Sequence, residues 1–265
     1  MSLKKSYNGI PSAEIKEFLE EKYLQYNNTS FIVSDPISIP HRYTDLHNRE
    51  ISGFLTAAIA WGRRDLILRS SLRMIELLED NPYEFITSAG EAEFERLERF
   101  VHRTFNGNDF IYFIRGLRHI YSNYNSLEDV IVEGMKESES LKDGLSCLRT
   151  SFFSLPHARR NEKHFADVMG GAAGKRLNMF LRWMVRKDNH GVDFGMWQKI
   201  DPSMLFIPLD LHSGNTARRL GLLTRKMNDW KAVEELTEVL REFDPADPVK
   251  YDFALFGLGV FNGFK

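Results

Sequence analysis

The chain reads as an all-α protein. Three observations predict it. Apolar residues recur at helical spacing along most of the length, strand-like alternation is scarce, and Ser, Asp or Asn precedes many of the periodic runs while Gly or Pro follows them.

Taken in order, Ser12 is expected to cap a helix over residues 13–26. Asn27-Asn28, Pro36 and Pro40 then mark a loop. Asn48 is expected to cap a helix carrying Ile51, Phe54, Leu55 and Ile59, which Trp61-Gly62 stops. Asp65 opens another, with Ile67, Leu68, Leu72, Ile75 and Leu78 on one side and Asn81-Pro82 at its end. Shorter helices are expected over residues 82–88 and 91–100, and longer ones over 109–121, 127–137 and 143–155. Residues 156–174 are loop-rich. Residues 175–186 form an amphipathic pattern: Leu177, Phe180, Leu181, Met184 and Val185 make one stripe, while Lys175, Met179, Arg182 and Arg186 fall opposite it. After an irregular stretch over 188–203 comes a short helix over 211–220, with Gly221 suited to its C′ position. Asp229 caps 230–241, and Asp247-Pro248 pairs an N-cap with a favoured first-turn proline, leading a helix that buries Tyr251, Ala254, Leu255 and Leu258.

At 265 residues and 43% hydrophobic content the chain can build a real core, as one large domain or two small lobes. Charge interrupts every apolar run before the ~18 residues of a membrane span. The opening Met-Ser-Leu-Lys-Lys has no apolar run, so secretion is not expected. A single cysteine, Cys147, excludes an internal disulfide and a cysteine-held metal cluster, and fits a reducing, cytoplasmic setting. A net charge of −2 argues against a wholly basic nucleic-acid binder. The bases are nonetheless grouped, at Arg63-Arg64, Lys175-Arg176, Arg182, Arg186-Lys187, Arg218-Arg219 and Arg225-Lys226, whereas acids concentrate over 14–21, 91–98 and 234–242.

Lys175 begins a helix. The partial positive charge there, with Arg176, Arg182 and Arg186 nearby, disfavours a protonated amine, and a neutral amine is what nucleophilic attack requires. The alternative is a solvated lysine on a basic face. Asp210 precedes the next helix; it can cap that helix, serve a lysine as proton acceptor, or do both. Gly170-Gly171-Ala172-Ala173-Gly174 permits tight turning and backbone N–H contacts to a phosphate, but lacks a Walker pattern. His41, Asp45 and His47 make the best metal-ligand grouping, short of a fourth partner. Trp61 and Trp197 are core residues or stacking platforms.

These pieces, in this order, resemble the helix-hairpin-helix DNA glycosylase superfamily, which includes endonuclease III and the archaeal 8-oxoguanine glycosylases. The resemblance covers most of residues 48–265: 48–81 is similar to an early helical pair, 170–186 to the hairpin and the lysine-bearing helix, and Pro208-Leu209-Asp210-Leu211-His212 with Arg218-Arg219-Leu220-Gly221-Leu222 to the aspartate-bearing segment. Two stretches, 175–186 and 247–255, look closer still to an uncharacterised bacterial family known by a numbered domain of unknown function. Two departures stand out. The usual Leu-Pro-Gly-hydrophobic-Gly hairpin is replaced by Val168-Met169-Gly170-Gly171-Ala172-Ala173-Gly174, and no cysteine-rich tail exists to hold an iron–sulfur cluster. The interval from Lys175 to Asp210 is longer than in endonuclease III and nearer the archaeal type.

The resemblance implies a two-lobed helical bundle with an atypical helix-hairpin-helix and a cleft between lobes. One lobe would span 49–186, and the other 1–48 plus 187–265. It implies base excision with AP-lyase activity on damaged double-stranded DNA, with an oxidised purine as the base. Lys175 would be the amine nucleophile, and Asp210 would deprotonate it or stabilise the oxocarbenium-like transition state. Gly170, Gly171, Gly174, Arg176, Arg182, Arg186, His212 and Arg218 would contact DNA; Trp61, Arg63 and Trp197 would line the base pocket. No metal or cofactor is needed, and a monomer is expected. Two rival readings remain: a non-catalytic helical module binding DNA or RNA, and a metal-dependent hydrolase built on His41, Asp45 and His47.

Overall fold

A computed structural model describes residues 6–261; the opening Met-Ser-Leu-Lys-Lys, on which the expectation about secretion rests, lies outside them. The fold is mostly helical, as the periodicity predicts. In chain order the elements begin with the short antiparallel pair β1 (Ser6–Tyr7) and β2 (Ile10–Pro11), then α1 (Ser12–Tyr26), α2 (Thr29–Ser34), α3 (Leu46–Ala58), α4 (Arg64–Leu77), α5 (Pro82–Ser88) and α6 (Glu91–Phe94). A second two-residue hairpin follows, β3 (Val101–His102) and β4 (Phe105–Asn106). The chain continues with α7 (Gly107–Asn123), α8 (Leu127–Met135), α9 (Leu141–Phe152), α10 (Lys175–Val185), α11 (Leu211–Arg219), α12 (Trp230–Phe243) and α13 (Tyr251–Phe261).

Several caps stand where the sequence puts them. Asp229 accepts a hydrogen bond from Ala232 N, and Asp210 from Ser213 N. Others are displaced. Asp45, not Asn48, caps α3, and the Asn48 side chain accepts from Tyr83 N in the first turn of α5. Asp65 lies within the first turn of α4, and Ser12 is the first residue of α1, not its cap.

The chain divides into two compact units: a terminal unit, Met1–Phe31 with Gly170–Lys265, and a central unit, Ile32–Met169. The division after 169 differs from the lobes expected to break after 186. The reason is that α10 finds its partners downstream: Phe180 packs edge-on against Trp197, and Arg182 and Arg186 bond to Asp252 and Asp247.

In the terminal unit α13 packs against both α1 and α11. Small residues allow it. A Cβ at Gly257 would sit 2.2 Å from the Tyr26 ring of α1, and one at Gly259 would meet His212 and Thr216 of α11 at 3.0 and 3.1 Å. Tyr251 Oη donates to Glu20 at 2.6 Å, tying the start of α13 to α1. In the central unit α8 and α9 form the closest helical pair, where Gly134 faces the Cys147 side chain and Gly144 faces Ile131. Phe54, Phe113, Phe152 and Phe165 stack through that unit's core at centroid distances of 4.9 to 6.1 Å.

Candidate functional site

The Gly170–Gly174 loop is held from behind. Gly171 O accepts from Trp230 N at 2.9 Å, and Ala172 bridges to Asp229, so the start of α12 anchors it. Gly174, at φ 61°, takes the left-handed conformation at the N-cap of α10, which a side chain would strain. Asn178 clamps the turn, its N donating to Gly174 O at 2.8 Å and its Nδ2 to Ala173 O at 3.3 Å. The element before this loop is a 3₁₀ stretch, Arg159–His164, so no α-helix leads directly into it.

Lys175 is the first residue of α10 and is half-buried. Its Nζ reaches back along the helix to Met179 Sδ at 3.4 Å, and it forms no ion pair with a carboxylate among the described residues. Asp210 is the N-cap of α11 in a reciprocal capping box: its Oδ1 accepts from Ser213 N (2.9 Å) and Oγ (3.2 Å), and Ser213 Oγ accepts from Asp210 N (2.9 Å). Asp210 Oδ2 has no hydrogen bond among the described residues.

Both side chains act on a third residue that the sequence reading missed. Asp252, in the first turn of α13, is 6% exposed and accepts a hydrogen bond from Arg182 Nη1 at 2.5 Å. Burial pushes its carboxyl up, to about 6; Arg182 opposes that rise, Asp210 adds to it and Lys175 opposes it. The charges of Lys175 and Asp210 thus both bear on one buried acid, which Arg182 of α10 holds by a hydrogen bond. The signal for Asp252 lay in the sequence: an acid inside the apolar run Tyr-Asp-Phe-Ala-Leu-Phe needs a buried partner.

The basic stripe of α10 departs from expectation. Arg182 and Arg186 are 3% and 0% exposed, and every residue from 177 to 186 is buried. Arg182 Nε also bonds to Asp193 at 3.2 Å. Arg186 bonds to Asp247 (2.9 and 3.0 Å), Asp188 (2.6 Å), Asp193 (3.1 Å) and Tyr23 Oη (2.9 Å). Burial works against the Arg186 charge, but Asp193 and Asp247 outweigh it and hold its pKa above the ordinary value. These guanidiniums face carboxylates in the interior, so they do not present a phosphate-binding face.

The remaining candidates divide. Arg176 is half-buried, and burial pushes its guanidinium down to about 10. Arg218 donates to Arg225 O (2.8 Å) and to Asn228 Oδ1 (2.6 Å), while Asn228 Nδ2 donates to Asp210 O at 3.0 Å; Asn228 therefore links Arg218 to the start of α11. His212 is exposed on the first turn of α11, its ring edge-on to Phe256. Gly170 is exposed. Trp197 is 2% exposed and packs edge-on against Phe180, which makes it a core residue and unavailable to a base. Trp61, half-buried in the central unit, stacks on His164 and meets His102 edge-on, and exposed Arg63 pairs with Asp65 at 2.8 Å.

His41, Asp45 and His47 do not gather: no group of three such ligands that could hold a metal occurs among the described residues. Asp45 caps α3, and His47 bonds to Asn125 O at 3.0 Å and stacks on Tyr83. Among the described residues no helix is long and apolar enough to cross a membrane.

No curated protein and no solved structure matches the chain. Residues 35–261, which hold Lys175, Asp210 and Asp252, match the family described as "Protein of unknown function (DUF2400)", and the chain belongs to that family.

Proposed function

We propose that the protein excises a damaged base, an oxidised purine, from double-stranded DNA and cleaves the strand by β-elimination, acting as a cytoplasmic monomer. One observation supports the reading: an amine without a carboxylate partner and an acid with an unoccupied oxygen, among the described residues, both act electrostatically on the buried Asp252.

In this reading Lys175 Nζ attacks the sugar C1′ as the base leaves with the glycosidic electrons. Asp210 accepts the amine proton through Oδ2, while its Oδ1 stays fixed by Ser213. The sugar ring then opens: the C1′–O4′ bond breaks, O4′ takes the proton back from Asp210, and C1′ becomes a protonated imine with Lys175. That imine acidifies C2′, and loss of the C2′ proton expels the 3′ phosphate. Asn228 and Ser213 hold Asp210 in position. The backbone at Gly170–Gly174 and the start of α11 supply N–H groups for phosphates. An extruded nucleotide is required because C1′ of a stacked residue is out of reach of the amine.

Borohydride reduction in the presence of abasic-site duplex tests the reading. A covalent protein–DNA adduct that Lys175→Ala abolishes is the expected result. If no Lys175-dependent adduct forms across a panel that includes oxidised purines, the enzymatic reading is wrong; salt-sensitive binding that survives Lys175→Ala and Asp210→Ala would then identify a non-catalytic binding module.

A further inference from the structure

The central unit carries a second cluster with no part in the chemistry above. Arg69 and Arg73 lie one turn apart on α4, and Arg96 and Arg99 come from the turn after α6. All four line one recess of about 290 Å³, with Leu77 and Phe100 among its walls. Leu77 and Phe100 are buried, and the four arginines are exposed.

Carboxylates neutralise half of this charge. Arg73 pairs with Glu76 at 3.1 Å, and Arg96 pairs with Glu79 at 2.7 Å while lying over the Phe85 ring. Arg69 and Arg99 form no ion pair among the described residues. Two uncompensated guanidiniums thus converge on one concavity from two separate segments, in a chain whose net charge is −2. Like charges brought together repel, and an anion between them removes that repulsion. Guanidinium is the fork that matches phosphate oxygens, and it offers five donors per side chain. The recess volume is at the small end of ligand sites, enough for a phosphate with an attached sugar.

We propose that the Arg69–Arg99 recess binds a phosphate-bearing anion. The inference stands apart from Lys175, which lies in the other unit, and survives if no glycosylase activity is found.

Two probes distinguish the sources of phosphate: a fluorescein-labelled 20-base-pair duplex read by anisotropy, and inorganic pyrophosphate read by calorimetry. The test variant is Arg69→Ala/Arg99→Ala. The control is Arg42→Ala/Arg115→Ala, which removes two exposed, ion-paired arginines of the same unit. The expected result is at least a tenfold loss of affinity for one probe in the test variant and less than twofold in the control. If the duplex responds, the slope of log K against log salt falls by about 2 and the source is a nucleic-acid backbone. If only pyrophosphate responds, the source is a small phosphorylated molecule. The proposal is overturned if the native protein binds neither probe at millimolar concentration, or if the test variant weakens neither probe more than the control does.

Discussion

Replacing Arg186 with methionine keeps most of the side-chain volume and removes the charge from the centre of the terminal unit. The guanidinium donates to Asp188, Asp193, Asp247 and Tyr23 Oη and lies over the rings of Tyr23 and Phe253. After the change Arg182 is the one cationic partner left to Asp193 among the described residues, and Asp247 loses its guanidinium. Removing one member of a buried ionic cluster costs about 3–5 kcal/mol. That is a large part of a typical stability of ~5–15 kcal/mol. At ~2–4 °C per kcal/mol for a chain of this size, the melting temperature should fall by roughly 6–20 °C. The loss should also depend on pH. Burial already raises the Asp193 and Asp247 carboxyls above their ordinary value, and without Arg186 they rise further. A carboxyl with a raised folded pKa stabilises the fold while protonated and loses that contribution as pH increases, so the deficit should be smaller at pH 5 than at pH 8. Thermal denaturation followed by circular dichroism at the two pH values measures both. A variant that melts within about 2 °C of the native protein at pH 8, yet binds nucleic acid less well, would mean that Arg186 faces outward and that the network is misassigned.

Asp252→Asn tests the acid shared by Lys175 and Asp210. With a folded pKa of about 6 against an unfolded value near 4, the native carboxyl contributes most below pH 4, and its contribution disappears as pH rises to about 6. Two pKa units correspond to on the order of 3 kcal/mol. Urea denaturation should show the native protein losing that much relative to the variant between pH 4 and pH 7; parallel pH profiles would contradict the assignment. Gly257→Ala places a methyl within 2.2 Å of the Tyr26 ring, an overpacking expected to cost about 1–3 kcal/mol. A lower urea midpoint at unchanged slope is expected, and an unaltered midpoint would show that α1 and α13 do not approach so closely.

The helical class and most element positions were legible because they follow from local periodicity and caps such as Asp229 and Asp210. Two kinds of lapse occur: some partners lay far away in sequence, and some elements were too short to carry a period. Asn48 resembles a cap because it is chemically one, but it serves α5 through Tyr83, thirty-five residues on. α2 went unseen because Phe-Ile-Val in a short polar setting has no helical period, and β3–β4 because two-residue strands carry no alternation. The α10 arginines read as a solvent face because a helical projection contains no information about Asp193, Asp247 or Asp252, which convert that face to interior. Lys175 and Asp210 could be picked out individually by position; what they share, the buried Asp252, required the packing of α13.

The terminal unit is stitched from the two flanks of the chain, and this sets a schedule for its assembly. α1 leaves the ribosome early, carrying Ile15, Leu19 and Tyr23, whose burial depends on later-made segments such as α13. With about 225 residues from the end of α1 to the start of α13, and translation at ~5–20 residues per second, that helix waits roughly 10–45 s for its partner. The contiguous middle segment meets no such delay, so a nascent chain holds a finished centre between flanks that have not yet met.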